Sequence, residues 1–316
     1  MQSKIRLGIS SCLMGEKVRY DGAHKFNPFL VNTLGEYVDY VPVCPEYECG
    51  LGIPREAMRL EGDPDAPRLM TNRTKVDLTK RMLAWCRKRV GELEKEDLQG
   101  FIFKSRSPSS GMERVKVYND KGMPVQKGVG LFARAFMDHF PLIPVEEDGR
   151  LNDPGLRENF IERIFAFRDW RETVKGGKTR ANLIGFHSRY KLLLLSHSEK
   201  HVREMGRLVA AAKEYSPAAL YAKYLELFSA GLKLKATVKK NVNVLQHIMG
   251  FFKTLLSADE KQELLEVIEQ YKQRYIPLIG PITLLNHYVR KYEPAYLLDQ
   301  VFLRPHPVEL ALRNHV

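Results

Sequence analysis

The chain has 316 residues, of which 44% are hydrophobic, and a formal net charge of +12. This composition is typical of globular domains and excludes wholesale disorder. A pI of about 9.4 indicates either a merely basic surface or a polyanionic partner, with nucleic acid the first candidate. No apolar run is long enough to span a bilayer, and the first 15 residues lack the pattern of a signal peptide. We therefore expect a cytoplasmic protein that does not associate with membranes.

Strand-like and helix-like segments alternate in the first half of the chain. An amphipathic helix is predicted from Leu78 to Glu96, and the glycine- and proline-rich residues 45–70 are predicted to form a loop. Short apolar runs predict strands at residues 4–10, 38–44 and 98–104. Such alternation favours a parallel sheet, in which ligands bind at the carboxyl ends of the strands. The loops "GISSCLMG", "VPVCPE" and "KSRSPSSG" follow these strands, so the sequence predicts a ligand site at that edge.

Helical patterns dominate the second half of the chain. Apolar stripes at helical spacing recur from about residue 152, and strand signals are nearly absent. The paired glycines in "VKGGKTRANL", residues 174–183, indicate a hinge. We therefore predict an α/β fold with a parallel-sheet N-terminal domain over residues 1–174, followed by an all-α C-terminal domain over residues 184–316.

Four cysteines are too few for a disulfide scaffold in a chain of this length. Cys12 and Cys44 each follow a predicted strand, with Cys49 nearby, and all three are candidates for metal or redox chemistry. Cys86 falls on the amphipathic helix and is predicted to pack in the core. Thiolates favour zinc or iron–sulfur clusters. Since the sequence contains no C-x-x-C pair, buried thiols without a metal are an equal alternative.

Three loops resemble the signature loops of the thiouracil desulfidase (TudS-like) family: "GISSCLMGEKVRYDG", "VCPEYECGLGIPRE" and "KSRSPSSG". The later segments "HSRYKLLLLSHS", "NVLQHIMGFFK", "YIPLIGPITLLNHY" and "LRPHPVELALRNHV" resemble the YbgA-type helical domain. The two resemblances together cover nearly the whole chain. Their combination is similar to the tRNA 4-thiouridine desulfidases of the RudS type.

The resemblance implies a [4Fe-4S] cluster that is held by three cysteines and binds the substrate's sulfur at its open iron. Matched by motif, Cys12 and Cys44 are two of the ligands. Ser110 stands where the family's loop, "SPSCG", has the third cysteine, and a hydroxyl is a much poorer donor to iron than a thiolate. Glu46 matches the family's acid/base carboxylate, and Ser107 matches a serine that orients the substrate or its water.

The function that the resemblance implies is hydrolytic removal of sulfur from 4-thiouridine in tRNA. Because Ser110 replaces the third cysteine, we expect the site of this chain to be disabled. Its partner would be tRNA containing 4-thiouridine, and no obligate protein partner is evident. Lys233, Lys235, Lys239 and Lys240 would contact phosphates, although such clusters are usually a solvated face. Two alternatives remain: a desulfidase of free thiouracil or thiouridine monophosphate, and a non-catalytic RNA-binding protein.

Two histidines are spaced as in some helical metal sites. His197 and His201 are four residues apart, which places both imidazoles on one face if a single helix runs through them. No glutamate follows His197 and no third ligand is evident. A structural or RNA-contacting role is therefore favoured over a metal site.

Overall fold

The computed structural model describes residues 4–315, and contacts divide the chain into two compact units at Asp153 and Pro154. The strands of the first unit are β1 (Ile5–Ser10), β2 (Val38–Val43), β3 (Met58–Glu61), β4 (Arg68–Thr71), β5 (Gly100–Phe103), β6 (Val115–Tyr118), β7 (Pro124–Gly128) and β8 (Val145–Glu147). Its helices are α1 (Pro45–Glu48), α2 (Thr79–Leu93) and α3 (Leu131–His139). The first unit is therefore α/β, as predicted.

Four of these strands form a parallel sheet in the order β2-β1-β5-β8. The register pairs Ser10 of β1 with Val43 of β2, and Ile9 of β1 with Ile102 of β5. Because the paired strands run in the same direction, their carboxyl ends lie along one edge. The three loops singled out in the sequence therefore leave the sheet side by side.

A second sheet was not predicted from the sequence. Its strand order is β4-β3-β6-β7, with antiparallel pairs at both ends and a parallel pair between β3 and β6. Residues 45–70, predicted to be a loop, contain α1, β3 and β4. That prediction was wrong because strands of four residues carry too few alternations to stand out among glycines, prolines and charges.

Aromatic side chains build the core beneath the parallel sheet. Phe101 and Phe103 on β5 pack against Phe132 and Phe136 on α3, with ring centroids 4.7–6.2 Å apart between the two elements. Gly8 on β1 is needed here because a Cβ at this position would overlap the Phe101 ring. Cys86 of α2 is buried, as predicted. This dense packing fixes the strands whose ends carry the candidate site.

The second unit is helical, as predicted. Its helices are α4 (Pro154–Lys175), α5 (Arg180–His197), α6 (Glu199–Ala210), α7 (Pro217–Lys233), α8 (Val238–Gly250), α9 (Ala258–Lys272), α10 (Ile279–Tyr292) and α11 (Ala295–Leu298). Trp170, Phe186, Tyr190, Tyr224 and Phe228 form an aromatic cluster within its core.

The two units divide earlier in the chain than the limit of residue 174 predicted from the sequence. Helix α4 belongs to the helical unit because its Trp170 shares a core with Leu183 of α5. The paired glycines join these two helices within one unit, and the side-chain Nδ2 of Asn182 donates to the carbonyls of Gly176 (3.0 Å) and Gly177 (2.8 Å). The predicted hinge is therefore a hydrogen-bonded turn between helices. Within residues 4–315, no helix is both long and apolar enough to cross a membrane.

Candidate active site

A cavity of about 370 Å³ opens at the carboxyl edge of the parallel sheet. Every site residue predicted from the sequence lines this cavity: Cys12, Cys44, Glu46, Ser107 and Ser110. They reach it from the ends of β1, β2 and β5, which the sheet register places side by side. The structure thus brings together residues up to 98 positions apart in a pocket large enough for a small ligand.

The two thiols enter the cavity from different backbone settings. Cys12 lies in a short 3₁₀ turn after β1, and Cys44 precedes α1, where its amide donates to Glu48 Oε1 at 2.7 Å. Burial raises the pKa of each thiol to about 11, and the nearby Lys104 ammonium partly offsets this rise at Cys12. Both sulfurs are therefore thiols at neutral pH, and binding a metal at either would release a proton.

The donor set does not fit a cluster held by three cysteines. Cys12 and Cys44 supply two soft sulfurs, but Ser110 supplies a hydroxyl, which is hard and much less acidic. Cys49 is no substitute: its Sγ faces the Glu46 carbonyl at 3.4 Å and it does not line the cavity. Nor, within residues 4–315, do the two thiols belong to a trio of thiol, carboxylate or imidazole ligands close enough to share a single ion.

Glu46 is held on both sides by hydrogen bonds. Arg55 donates to Glu46 Oε2 through Nε (3.1 Å) and Nη2, and Ser109 Oγ donates to Oε1 at 2.9 Å. The Arg55 guanidinium is itself fixed by the carbonyl of Val18 at 3.0 Å. Side chains of Glu46 and Arg55 are 15% and 8% exposed, so the pair is largely shielded from water. Charge-assisted bonds of this kind are short and strong.

Ser107 organises the loop that follows β5. Its Oγ accepts from the amides of Ser109 (3.3 Å) and Ser110 (3.1 Å) and lies 3.0 Å from Ser109 Oγ. A hydroxyl has two acceptor positions and one proton. Since the Ser109 proton goes to Glu46, the Ser107 proton must go to Ser109. All three positions of Ser107 are thus filled, and a ligand can bind this hydroxyl only by displacing one partner.

The structure adds residues that the sequence did not single out. Arg55 and Ser109 hold Glu46, and Lys104 lines the cavity while its Nζ pairs with Asp148 at 2.9 Å. Asp148 directly follows β8, the fourth parallel strand. At three residues, β8 gives too short a pattern to be detected in the sequence. Ser109 could have been found, because it lies within the "SPSSG" loop that carries the other site residues.

The two histidines do not share a helix face. Ser198 ends α5 and is the N-cap of α6, so His197 and His201 belong to different helices. His197 is buried, with Nε2 3.1 Å from Glu162 and Nδ1 2.6 Å from the carbonyl of Leu234. The shared-face prediction was wrong because the intervening serine is a strong helix-capping residue. His197 instead has the structural setting that was favoured from the sequence.

Comparisons with known proteins match both halves of the chain. The 2-thiouracil desulfurase family model matches residues 7–148, and the model described as a protein of unknown function (DUF1722) matches residues 191–307. The uncharacterized protein YbgA of Escherichia coli (strain K12) is 31% identical over 158 residues, or 50% of this chain and 94% of that protein. A solved [4Fe-4S]-dependent thiouracil desulfidase, TudS, is 25% identical, covers 48% of this chain and 95% of its own, and has a TM-score of 0.40.

Fold and site define an α/β domain, with a thiol-bearing polar cavity at the carboxyl edge of its sheet, joined to a helical domain. More particularly, the chain belongs to the YbgA family, and its residues 7–148 match the model of the 2-thiouracil desulfurase family.

Proposed function

We propose that the chain has the scaffold of a tRNA 4-thiouridine desulfidase. The balanced reaction is 4-thiouridine plus water giving uridine plus hydrogen sulfide, so a C–S bond is replaced by a C–O bond without net oxidation or reduction. One observation carries this proposal: Cys12, Cys44 and Glu46 meet the "SPSSG" loop in a single cavity of about 370 Å³. The match of residues 7–148 to the 2-thiouracil desulfurase family supports the same chemistry.

The chain's own residues supply acid/base chemistry in this proposal. Glu46 is the carboxylate that takes a proton from the attacking water and returns it to the departing sulfur, which leaves as hydrogen sulfide; such a role is typically worth about 100- to 10,000-fold in rate. Arg55 and Ser109 hold it in place. Ser107, whose hydrogen-bonding positions are filled from within its own loop, acts by positioning that loop. Lys104 keeps a positive charge beside Cys12.

Exposed lysines in the helical domain support an RNA substrate over a free base. Lys233 ends α7, Lys239 lies in the first turn of α8, and both are exposed. These lysines would contact phosphates, and each phosphate contact releases condensed counterions. The net charge of +12 favours the same polyanionic partner. A base in folded tRNA must also be exposed or flipped to reach a cavity of this kind.

Ser110 is the residue on which this chain's activity depends. The hydroxyl in the third ligand position does not fit the [4Fe-4S] cluster, so we expect the chain with Ser110 to hold little iron and to release little sulfide. Ser110 is 3% exposed, and cysteine differs from serine by one atom, so Ser110→Cys should fit the same backbone. We expect this variant to gain iron, labile sulfide and desulfidase activity together.

The test is anaerobic reconstitution of the chain and of Ser110→Cys, followed by iron counting and sulfide release from thiolated tRNA. A matched control is Ser105→Cys, which adds a thiol to the same cavity from outside the ligand position. Full iron content and equal turnover in the unmodified chain would show that the ligand assignment is wrong. Comparison of thiolated tRNA with thiouridine monophosphate separates the RNA substrate from the free nucleotide. RNA binding without iron or turnover in either form would favour the non-catalytic alternative.

A further inference from the structure

Both oxygens of Glu46 are occupied, but they are not equivalent. A carboxylate offers about four lone-pair positions, two on each oxygen. Arg55 fills both positions of Oε2 through Nε and Nη2, while Ser109 fills one position of Oε1. Among the residues that the structure describes, nothing fills the remaining position, which is on Oε1. A proton can reach Glu46 there without breaking the pair with Arg55.

The Ser109 hydroxyl is held in one orientation. Ser109 is 1% exposed, so water does not compete for its Oγ. The two amides that donate to Ser107 leave the Ser107 proton directed at Ser109, and the Ser109 proton is in turn directed at Glu46. Reversing the chain would require Ser107 to accept a third hydrogen bond. The hydrogen bonds therefore run in one direction, from Ser107 through Ser109 to Oε1.

The backbone around Ser109 is equally restricted. A Cβ on Gly130 would lie 2.5 Å from the Ser109 carbonyl carbon and 2.7 Å from the Ser110 amide nitrogen. The amide of Phe132, in α3, donates to the Ser109 carbonyl at 2.9 Å. Ser109 is thus clamped between α3 and the cavity, and it cannot follow Glu46 if that side chain rotates.

We propose that Ser109 is a positioning residue that fixes Oε1 of Glu46 as the proton-handling oxygen. The proposal rests on the proposed function for what the proton is used for, but the asymmetry of the carboxylate stands on the hydrogen bonds alone. Without the Ser109 hydroxyl, Oε1 keeps no partner within residues 4–315, and the carboxylate can turn about its bonds to Arg55. Hydrogen bonds to charged groups are typically worth about 1.5–3 kcal/mol, which corresponds to roughly 10- to 150-fold in rate.

The first test needs neither a cluster nor turnover. The infrared carboxylate bands of Glu46 are isolated by subtracting the spectrum of Glu46→Gln from that of the chain, and the same subtraction is made in Ser109→Ala. We expect Ser109→Ala to shift these bands and Ser109→Thr, which keeps the hydroxyl, to restore them. The matched control is Ser105→Ala, which removes a hydroxyl bonded to Lys104 and leaves Glu46 untouched. Unchanged Glu46 bands in Ser109→Ala, with the protein folded by circular dichroism, would overturn the proposal.

The second test uses the Ser110→Cys chain at equal iron content. We expect Ser109→Ala to lower kcat by about 10- to 150-fold with little change in KM, because Ser109 acts on Glu46 and not on the substrate. An unchanged kcat would overturn the positioning role. If Ser110→Cys itself released no sulfide, the proposed function would fail while the infrared result still decided the geometry of Glu46.

Discussion

Replacing Glu46 by glutamine probes the most constrained group of the candidate site. An amide has one acceptor oxygen, whereas this carboxylate accepts from Arg55 on one side and from Ser109 on the other. If the amide oxygen faces Arg55, its NH₂ faces Ser109, whose proton then has no acceptor, because Ser107 already accepts from two amides. If the amide is flipped, its NH₂ meets the guanidinium of Arg55. Either orientation leaves one donor unsatisfied.

The magnitude follows from the burial of the ion pair. Arg55 is 8% exposed and keeps its bonds to the carbonyls of Val18 and Gly52, so Glu46→Gln leaves its charge partly but not fully compensated. We expect a loss in the free energy of unfolding of about 1.5–3 kcal/mol, the usual value of a hydrogen bond to a charged group. Turnover should fall further, by about 100- to 10,000-fold, because the amide cannot accept a proton.

The assay is single-turnover sulfide release from thiolated tRNA in the Ser110→Cys background, with urea denaturation for stability. Glu56→Gln is the matched control, because Glu56 bonds Thr74 outside the cavity and its substitution removes the same charge. Glu46→Gln with iron content equal to its parent and turnover within threefold of it would refute the acid/base role. Equal stability would refute the hydrogen-bond assignment.

Two further outcomes are expected. Gly130→Ala should lower the melting temperature and reduce ligand binding at the cavity, since its Cβ would collide with the backbone of the Ser109 loop. Gly91→Ala on α2 should be neutral or stabilising by up to about 1 kcal/mol in thermal unfolding, because its Cβ would meet no atom of the described residues within 4 Å. The double variant Lys233→Glu and Lys239→Glu should weaken tRNA binding and reduce the dependence of that binding on salt concentration. Turnover of thiouridine monophosphate in the Ser110→Cys background should not change. A salt dependence equal to that of the parent would show that these lysines do not contact the RNA.

The sequence predicted the parallel sheet and its functional edge because those features depend on local patterns. Residues 4–10 and 38–44 are short runs rich in apolar residues and bounded by turn signals, which is the local pattern of a strand. The thiol, carboxylate and hydroxyl side chains in the loops after the strands then indicated where the site lies. The second sheet was missed because its strands β3 and β4 contain only four residues each. The fourth strand of the parallel sheet, β8, was missed because it contains only three residues.

Other features of the site depend on contacts between distant segments, which no local pattern encodes. The pairing of Arg55 with Glu46, and the way Ser107 saturates its own loop, are visible only in three dimensions. Ser198 is the opposite case, a local signal that the prediction overlooked. There the spacing of His197 and His201 suggested one continuous helix, although the intervening serine was itself a local signal for a helix start.

Ser10 and Val43 are paired at the carboxyl edge of the parallel sheet, where β1 and β2 both end. The residues that stabilise this domain therefore differ from those that would carry its chemistry. Each loop follows a strand that packs in the core, and its candidate site residues come soon after that strand's end in the sequence. A single side chain can therefore be exchanged at the edge while the sheet stays as it was. Sulfur and oxygen can therefore be exchanged at position 110, by evolution or by design, without changing the fold of the domain.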